Sequence, residues 1–224
     1  MQASFRIVLN DKLYLRDPQD TDLGRRIVTE GIRLIDEIGF EHFTFKKLAL
    51  RIESSEVSLY RYFENKHRLL VYLVSWHWAA LRHQIHFHTH NVPDARQRLR
   101  LALGILTRAH QDDPATPELD EAALYRIVVN EASKAYLTKD VDDDNREGLF
   151  REYKHLAADI AGVVQEINPA YAYPLALVST LLESARKQFF FAQHLPALTN
   201  VPRGEEADDI ILAFLTQLAF ATLG

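Results

Sequence analysis

The chain has 224 residues, no cysteine and a formal net charge of −5. That length hides roughly 70% of the unfolded surface on folding, enough for a real core, while the missing cysteines exclude disulfides, thiolate chemistry and Cys-based zinc sites. The first dozen residues lack the apolar core of a signal peptide and no run approaches the ~18 apolar residues of a membrane span, so the chain reads as a soluble protein of a reducing cytoplasm.

Helical periodicity dominates the pattern after an atypical start. Alternating apolar residues around Asn10-Asp11 suggest a short β-hairpin within 1–20; an extended arm is the alternative, because an isolated hairpin is marginal in water. A first amphipathic helix spans 22–38, capped by Thr21 or Asp22 and left through Gly39. Thr44 caps a second short helix over 45–52, and Ser54 or Ser55 caps a third that reaches about 63. Asn65 caps a long fourth helix over 66–88. A fifth opens at Pro93-Asp94 and ends before Asp112-Asp113-Pro114, and a sixth covers 117–137. The acidic connector 140–144 leads into a seventh helix that ends at Ile167, before Asn168-Pro169. An eighth covers 172–194, with Pro174 tolerated in its first turn. A proline-containing loop then precedes a ninth over 205–223. The expected fold is all-α, with about nine helices.

Two short helices joined by a tight turn form a helix-turn-helix, whose second helix enters the major groove while the first crosses the backbone. Its stretch is the only net-positive part of the chain: residues 23–83 carry ten basic against seven acidic side chains, whereas 84–224 carry thirteen against twenty. The excess is mild, which implies modest, salt-sensitive affinity for DNA. Thr44, with a hydroxyl and free amides at a helix start, suits a phosphate, and Lys46 and Lys47 add charge beside it. Ser55, Glu56 and Ser58 begin the recognition helix, Tyr60, Arg61 and Tyr62 follow, and Lys66 opens the fourth helix. Leu48, Ala49, Ile52, Leu59 and Phe63 are the apolar positions expected to hold the three helices together.

Gly39-Phe40, Thr44 with Leu48-Ala49, Leu59-Tyr60-Arg61-Tyr62-Phe63, Asn65-Lys66 and Leu69-Leu70 together resemble the TetR/AcrR family of transcriptional regulators over about residues 22–75. The resemblance implies a DNA-binding head over 21–66, with the motif at about 44–63. It also implies a helical regulatory and dimerisation body over 67–224, connected through the fourth helix. The chain departs from the family at the turn: Glu53-Ser54-Ser55 stands where Gly-Val-Ser is usual. Glu53 then falls where glycine adopts a left-handed conformation, at a cost of about 1 kcal/mol. Glu56 brings a carboxylate near phosphates, where it either accepts from cytosine N4 or weakens binding.

Elsewhere, the sequence offers candidates of lower information. Tyr125, Asn130, Glu131 and Tyr153 are candidate ligand contacts for a small apolar or aromatic effector, although Glu131 also has Lys134 as a surface partner. The eighth helix presents Leu175, Val178, Leu182 and Phe189, and the ninth presents Ile211, Phe214 and Leu218, as a homodimer interface. Five histidines lie between Trp76 and His90 without a local acidic or Cys partner, so they read as the polar end of the fourth helix rather than a metal site. There is no Gly-x-Ser-x-Gly elbow, phosphate-binding glycine loop or His-Glu-x-x-His. No enzyme, metal or cofactor is expected. The expected function is a ligand-responsive regulator, a repressor binding a palindromic duplex operator as a homodimer, without membrane association. The alternative is a helical sensor or protein-interaction module that keeps the helix-turn-helix but binds DNA weakly or not at all.

Overall fold

The structure, a computed structural model, describes residues 6–111 and 119–224. These contain eleven α-helices and no strand. The helices are α1 (Asp22–His42), α2 (Phe45–Arg51), α3 (Glu56–Leu59), α4 (Lys66–Thr89), α5 (Ala95–Thr107), α6 (Glu121–Glu131), α7 (Ser133–Tyr136), α8 (Val141–Arg146), α9 (Arg151–Ile167), α10 (Pro174–His194) and α11 (Ala207–Leu223). Two compact units divide the chain, one formed by 1–79 with 110–152 and the other by 80–109 with 153–224.

The count exceeds the nine expected because the sixth expected helix is interrupted and because the acidic stretch 140–144, expected as a connector, is itself helical as part of α8, with Asp144 buried. Between α6 and α7 the ladder tightens, with the Ala135 amide donating to the Ala132 carbonyl. Between α8 and α9 the break falls at Gly148, whose φ of 76° ends a helix in the left-handed region open to glycine.

The first unit is organised by α1–α4. Ile27, Ile32, Ile35, Phe43, Leu48, Ile52, Leu59, Phe63, Leu69 and Tyr72 are fully buried there, supplying the apolar contacts expected of the motif. Their spacing on α1, at 27, 32 and 35, keeps one face inward. Thr21 accepts from the Gly24 amide and Asn65 from the Arg68 amide, so both long helices begin with side-chain caps.

The described part of the N-terminal segment is an arm, not a hairpin. Its polar groups bond locally, to the head and, through the Asn10 side-chain amide, to the Glu147 carbonyl, and no strand forms among the described residues. Asn10 caps a single 3-10 turn at Asp11–Leu13, the Ile7 backbone exchanges two hydrogen bonds with the Gln19 amide, and the Leu15 amide donates to the Tyr62 carbonyl. Ile7, Leu9 and Leu13 are buried, and Tyr14 meets Tyr72 edge-on. A second 3-10 turn, Pro18–Asp20, packs directly on the start of α1. A Cβ at Gly24 would stand 2.3 Å from the Pro18 carbonyl oxygen.

In the second unit α10, α11 and α5 pack on one another. Pro174 occupies the first turn of α10, where its missing N–H costs nothing. Asp159 of α9 is gripped by Arg82 at 2.6 Å and His86 at 2.8 Å, both from α4. Burial pushes the Asp159 carboxyl up, but the hydrogen bonds from Arg82 and His86 prevail and hold it below the usual carboxylate range. No helix of the described residues is long and apolar enough to cross a membrane.

The arm makes Gly24 a testable position. In an open helix Gly→Ala gains about 1 kcal/mol, but here the added methyl drives into the Pro18 backbone. Gly24→Ala is expected to lose about 1–3 kcal/mol in urea denaturation; a gain would show that the arm does not pack on α1.

Candidate nucleic-acid interface

The helix-turn-helix depends on how α1 hands over to α2. Gly39 has φ 75° and ψ 154°, which interrupts the helical ladder three residues before its end. The interruption strands backbone groups that burial would penalise. Two side chains from outside the junction take them up. Glu131 Oε1 accepts from the Phe40 amide at 3.1 Å. The Lys66 ammonium donates to the carbonyls of Phe40, Glu41 and Phe43 at 3.1, 3.4 and 3.3 Å and lies 4.7 Å from the centre of the Phe40 ring. Lys134 joins the same knot, 2.7 Å from Glu131 and 2.8 Å from Glu41. Farther back on α1, Asp36 receives a bidentate hydrogen-bonded pair from Arg126 of α6.

The turn between α2 and α3 is a Schellman closure. The Ser54 amide donates to the Ala49 carbonyl at 2.9 Å and the Glu53 amide to the Leu50 carbonyl at 3.3 Å. Glu53 occupies the left-handed position with φ 52°, the only non-glycine residue to do so among the described residues. The expected strain is therefore present: the turn keeps the geometry of a glycine without having one. Arg51, at the end of α2, bonds Glu30 at 2.6 Å and Glu37 at 2.6 and 2.8 Å, both from α1. These acids are seven residues apart and so share a face. Hydrogen bonding to Arg51 is the main influence that holds both carboxyls below the usual range.

On the outward side of α2 and α3 the structure places most of the anticipated residues together. Thr44 caps α2 by accepting from the Lys47 amide, and its side chain is exposed. Lys46 and Lys47 are exposed, with the Lys47 ammonium reaching the His42 carbonyl at 2.8 Å. Ser55 caps α3 by accepting from the Ser58 amide, and the two hydroxyls lie 2.8 Å apart. Tyr60 is half exposed with its ring edge-on to Phe45 at 5.0 Å, and its hydroxyl donates to Glu56 at 3.4 Å. Arg61 is exposed.

Two anticipated residues face elsewhere. Tyr62 is 2% exposed, and its hydroxyl is 2.7 Å from that of Thr21, which ties the turn after α3 to the start of α1. Lys66 is engaged by the α1 carbonyls described above. Val57, 67% exposed on α3, was not anticipated. The signal was its position off the buried Leu59–Phe63 line.

The ligand candidates separate. Tyr125 is buried, with ring contacts to His77 and His110, both at 5.9 Å. Asn130, five residues along α6, is exposed. Glu131 holds the Phe40 amide. Tyr153 belongs to the second unit, where its hydroxyl donates to Glu183 at 3.0 Å. Among the described residues, no three His, Asp or Glu side chains converge as a metal site.

Residues 27–73 match the family described as bacterial regulatory proteins, tetR family. The tetracycline repressor protein class G of Vibrio anguillarum is 32% identical over 77 residues, and the match spans 34% of each chain. Two solved structures share the fold. One is AibR in complex with isovaleryl coenzyme A and operator DNA, with TM-score 0.61, 15% identity, and 87% of this chain and 97% of that one covered. The other is the fatty acid degradation regulator FadR from Bacillus halodurans, with TM-score 0.61, 13% identity, and 89% and 93% covered.

Two substitutions test the head. Glu53→Gly is expected to raise stability by about 1 kcal/mol in denaturant titration, because glycine adopts the left-handed geometry without the Cβ clash; no change would mean the strain is relieved elsewhere. Glu30 works through pH. A lowered folded-state pKa contributes stability that is complete above the unfolded value, about 4.3, and is lost as pH falls through the lower folded value. Arg51→Met should therefore flatten the acid limb of the melting-temperature profile; an unchanged limb contradicts it.

Proposed function

We propose that this chain, whose head belongs to the tetR family of bacterial regulatory proteins, is a ligand-responsive transcriptional repressor that binds a palindromic duplex operator as a homodimer. The observation that carries this is the outward face of α2 and α3. It gathers Thr44, Lys46, Lys47, Ser55, Tyr60 and Arg61 at the surface, on a rigid three-helix core, within the segment the family matches. Thr44, Lys46 and Lys47 engage phosphates, which fixes register; Ser55, Glu56, Ser58, Tyr60 and Arg61 approach base edges. Lys66 and Tyr62 support the head from within.

Dimerisation uses the faces of α10 and α11 that their mutual packing leaves outward. Val178, Leu182 and Ile211 are buried within the chain, so the contact falls to Leu175 (58% exposed), Phe214 (42%) and the half-buried Phe189 and Leu218. Ala176, Ser179, Thr180, Ala213 and Ala221 are exposed with them, and such small residues allow close helix approach. Two heads on one dimer read half-sites about 34–36 Å apart, or a multiple of it.

An effector in the body shifts the population toward a head spacing that no longer fits the operator. A small apolar or aromatic molecule suits the buried aromatics, Tyr125 among them; AibR is in complex with isovaleryl coenzyme A. The protein acts in the cytoplasm, as a regulator rather than an enzyme and without a cofactor. A second reading, a sensor or interaction module with little DNA affinity, is favoured by the strained Glu53 turn and the carboxylate of Glu56.

Selection from genomic DNA fragments by the purified protein separates the two. The repressor enriches a palindrome and binds it less tightly as salt rises; no enrichment at low ionic strength favours the sensor. Arg61→Ala should weaken the enriched site by about 1–3 kcal/mol with an unchanged melting temperature. In light scattering the wild-type protein should run at twice the chain mass and Phe214→Arg at the chain mass; an unaltered dimer would place the interface elsewhere.

A further inference from the structure

Glu56 sits at the first position of α3, on the face assigned above to the bases, and a carboxylate there is unusual chemistry. Every phosphate oxygen of the duplex repels it, and the repulsion acts over roughly 8 Å at physiological salt. Among the described residues no lysine or arginine pairs with it, and its one side-chain partner is the Tyr60 hydroxyl at 3.4 Å. That partner is itself fixed, with its ring edge-on to Phe45 of α2 at 5.0 Å. The helix start beneath is fixed as well, because Ser55 caps it and bonds Ser58. The Tyr60 hydroxyl thus reaches Oε1 only at long range, leaving Oε2 without a hydrogen bond among the described residues.

Resting on the DNA-binding assignment, we propose that Glu56 is a specificity-determining residue that reads a cytosine in each half-site by accepting a hydrogen bond from its N4 amino group. An ionised carboxylate only accepts. In the major groove the exposed amino donors are cytosine N4 and adenine N6, and adenine sets its N7 acceptor beside that amino group, where a second carboxylate oxygen is repelled. Guanine offers N7 and O6, and thymine O4; all three are acceptors that oppose the carboxylate. Cytosine alone presents a donor with no acceptor of its own alongside. The same charge lowers affinity for every other sequence, so Glu56 trades general DNA affinity for discrimination.

The test is selection from a randomised duplex library with the full-length wild-type protein, Glu56→Gln and Glu56→Ala, followed by titration of the wild-type site and a version with that cytosine replaced by thymine. The expected wild-type motif contains one cytosine column per half-site. Glu56→Gln moves that column toward adenine, the base a glutamine amide matches with two hydrogen bonds, and Glu56→Ala flattens it, with the other columns unchanged. The cytosine-to-thymine change weakens wild-type binding about tenfold and Glu56→Ala binding little, while both variants bind random duplex more tightly than wild type. A cytosine column that persists in both variants, or equal losses on the thymine site, overturns the proposal and leaves the regulator assignment standing. Failure of the wild-type protein to enrich any motif overturns both.

Discussion

The Gly39–Phe40 junction is the constraint on which the head depends. A left-handed glycine turns the chain from α1 toward α2 and interrupts the ladder, and one amide and three carbonyls there bond side chains of other segments. The amide goes to Glu131 on α6 and the carbonyls to Lys66 on α4. Both partners are charged, so the bonds are of the stronger kind, about 1.5–3 kcal/mol each when charged groups are involved. The helix-turn-helix is thus not a free-standing module in this chain. It shares a compact unit with 110–152, and its first turn is completed by a residue some ninety positions away.

That arrangement changes how several side chains are understood. Glu131, a ligand candidate by composition, is committed to backbone. Lys66, a phosphate candidate by position, closes the end of α1 with its ammonium, so its loss would be felt in folding before it was felt in binding. Tyr62 similarly faces inward to Thr21. What remains outward on α2 and α3 is a smaller and sharper set: hydroxyls at two caps, two lysines, Tyr60, Arg61, Glu56 and the apolar Val57.

Much of this was legible from residue types at local spacing. The caps Thr21, Thr44, Ser55 and Asn65 mark four helix starts because a short polar side chain before an apolar run satisfies a free amide. Gly39 marks the exit of α1, and Glu53 falls in the left-handed turn because it stands where the family the motif resembles has glycine. The unreadable part was long-range. Nothing near Glu131 points to Phe40, and nothing in a lysine at a helix start says that its amine will turn back to three carbonyls. The hairpin pattern around Asn10-Asp11 misled for the same reason: alternation specifies which side chains are buried, as Ile7, Leu9 and Leu13 are, but not whether a strand or a helical head covers them. The dimer residues divided on a similar point, since a wide apolar stripe on α10 does not announce which part packs on α11.

The central claim, that a carboxylate on α6 completes the fold of the head, is tested most directly by amide hydrogen exchange on the full chain carrying Glu131→Ala. Loss of the acceptor should strip protection from the Phe40 amide and lower it at the α2–α3 turn, in the amides of Ile52 and Ser54, while α10 and α11 exchange as in wild type. Unchanged protection at Phe40, or a loss spread evenly over all the helices, would contradict the account.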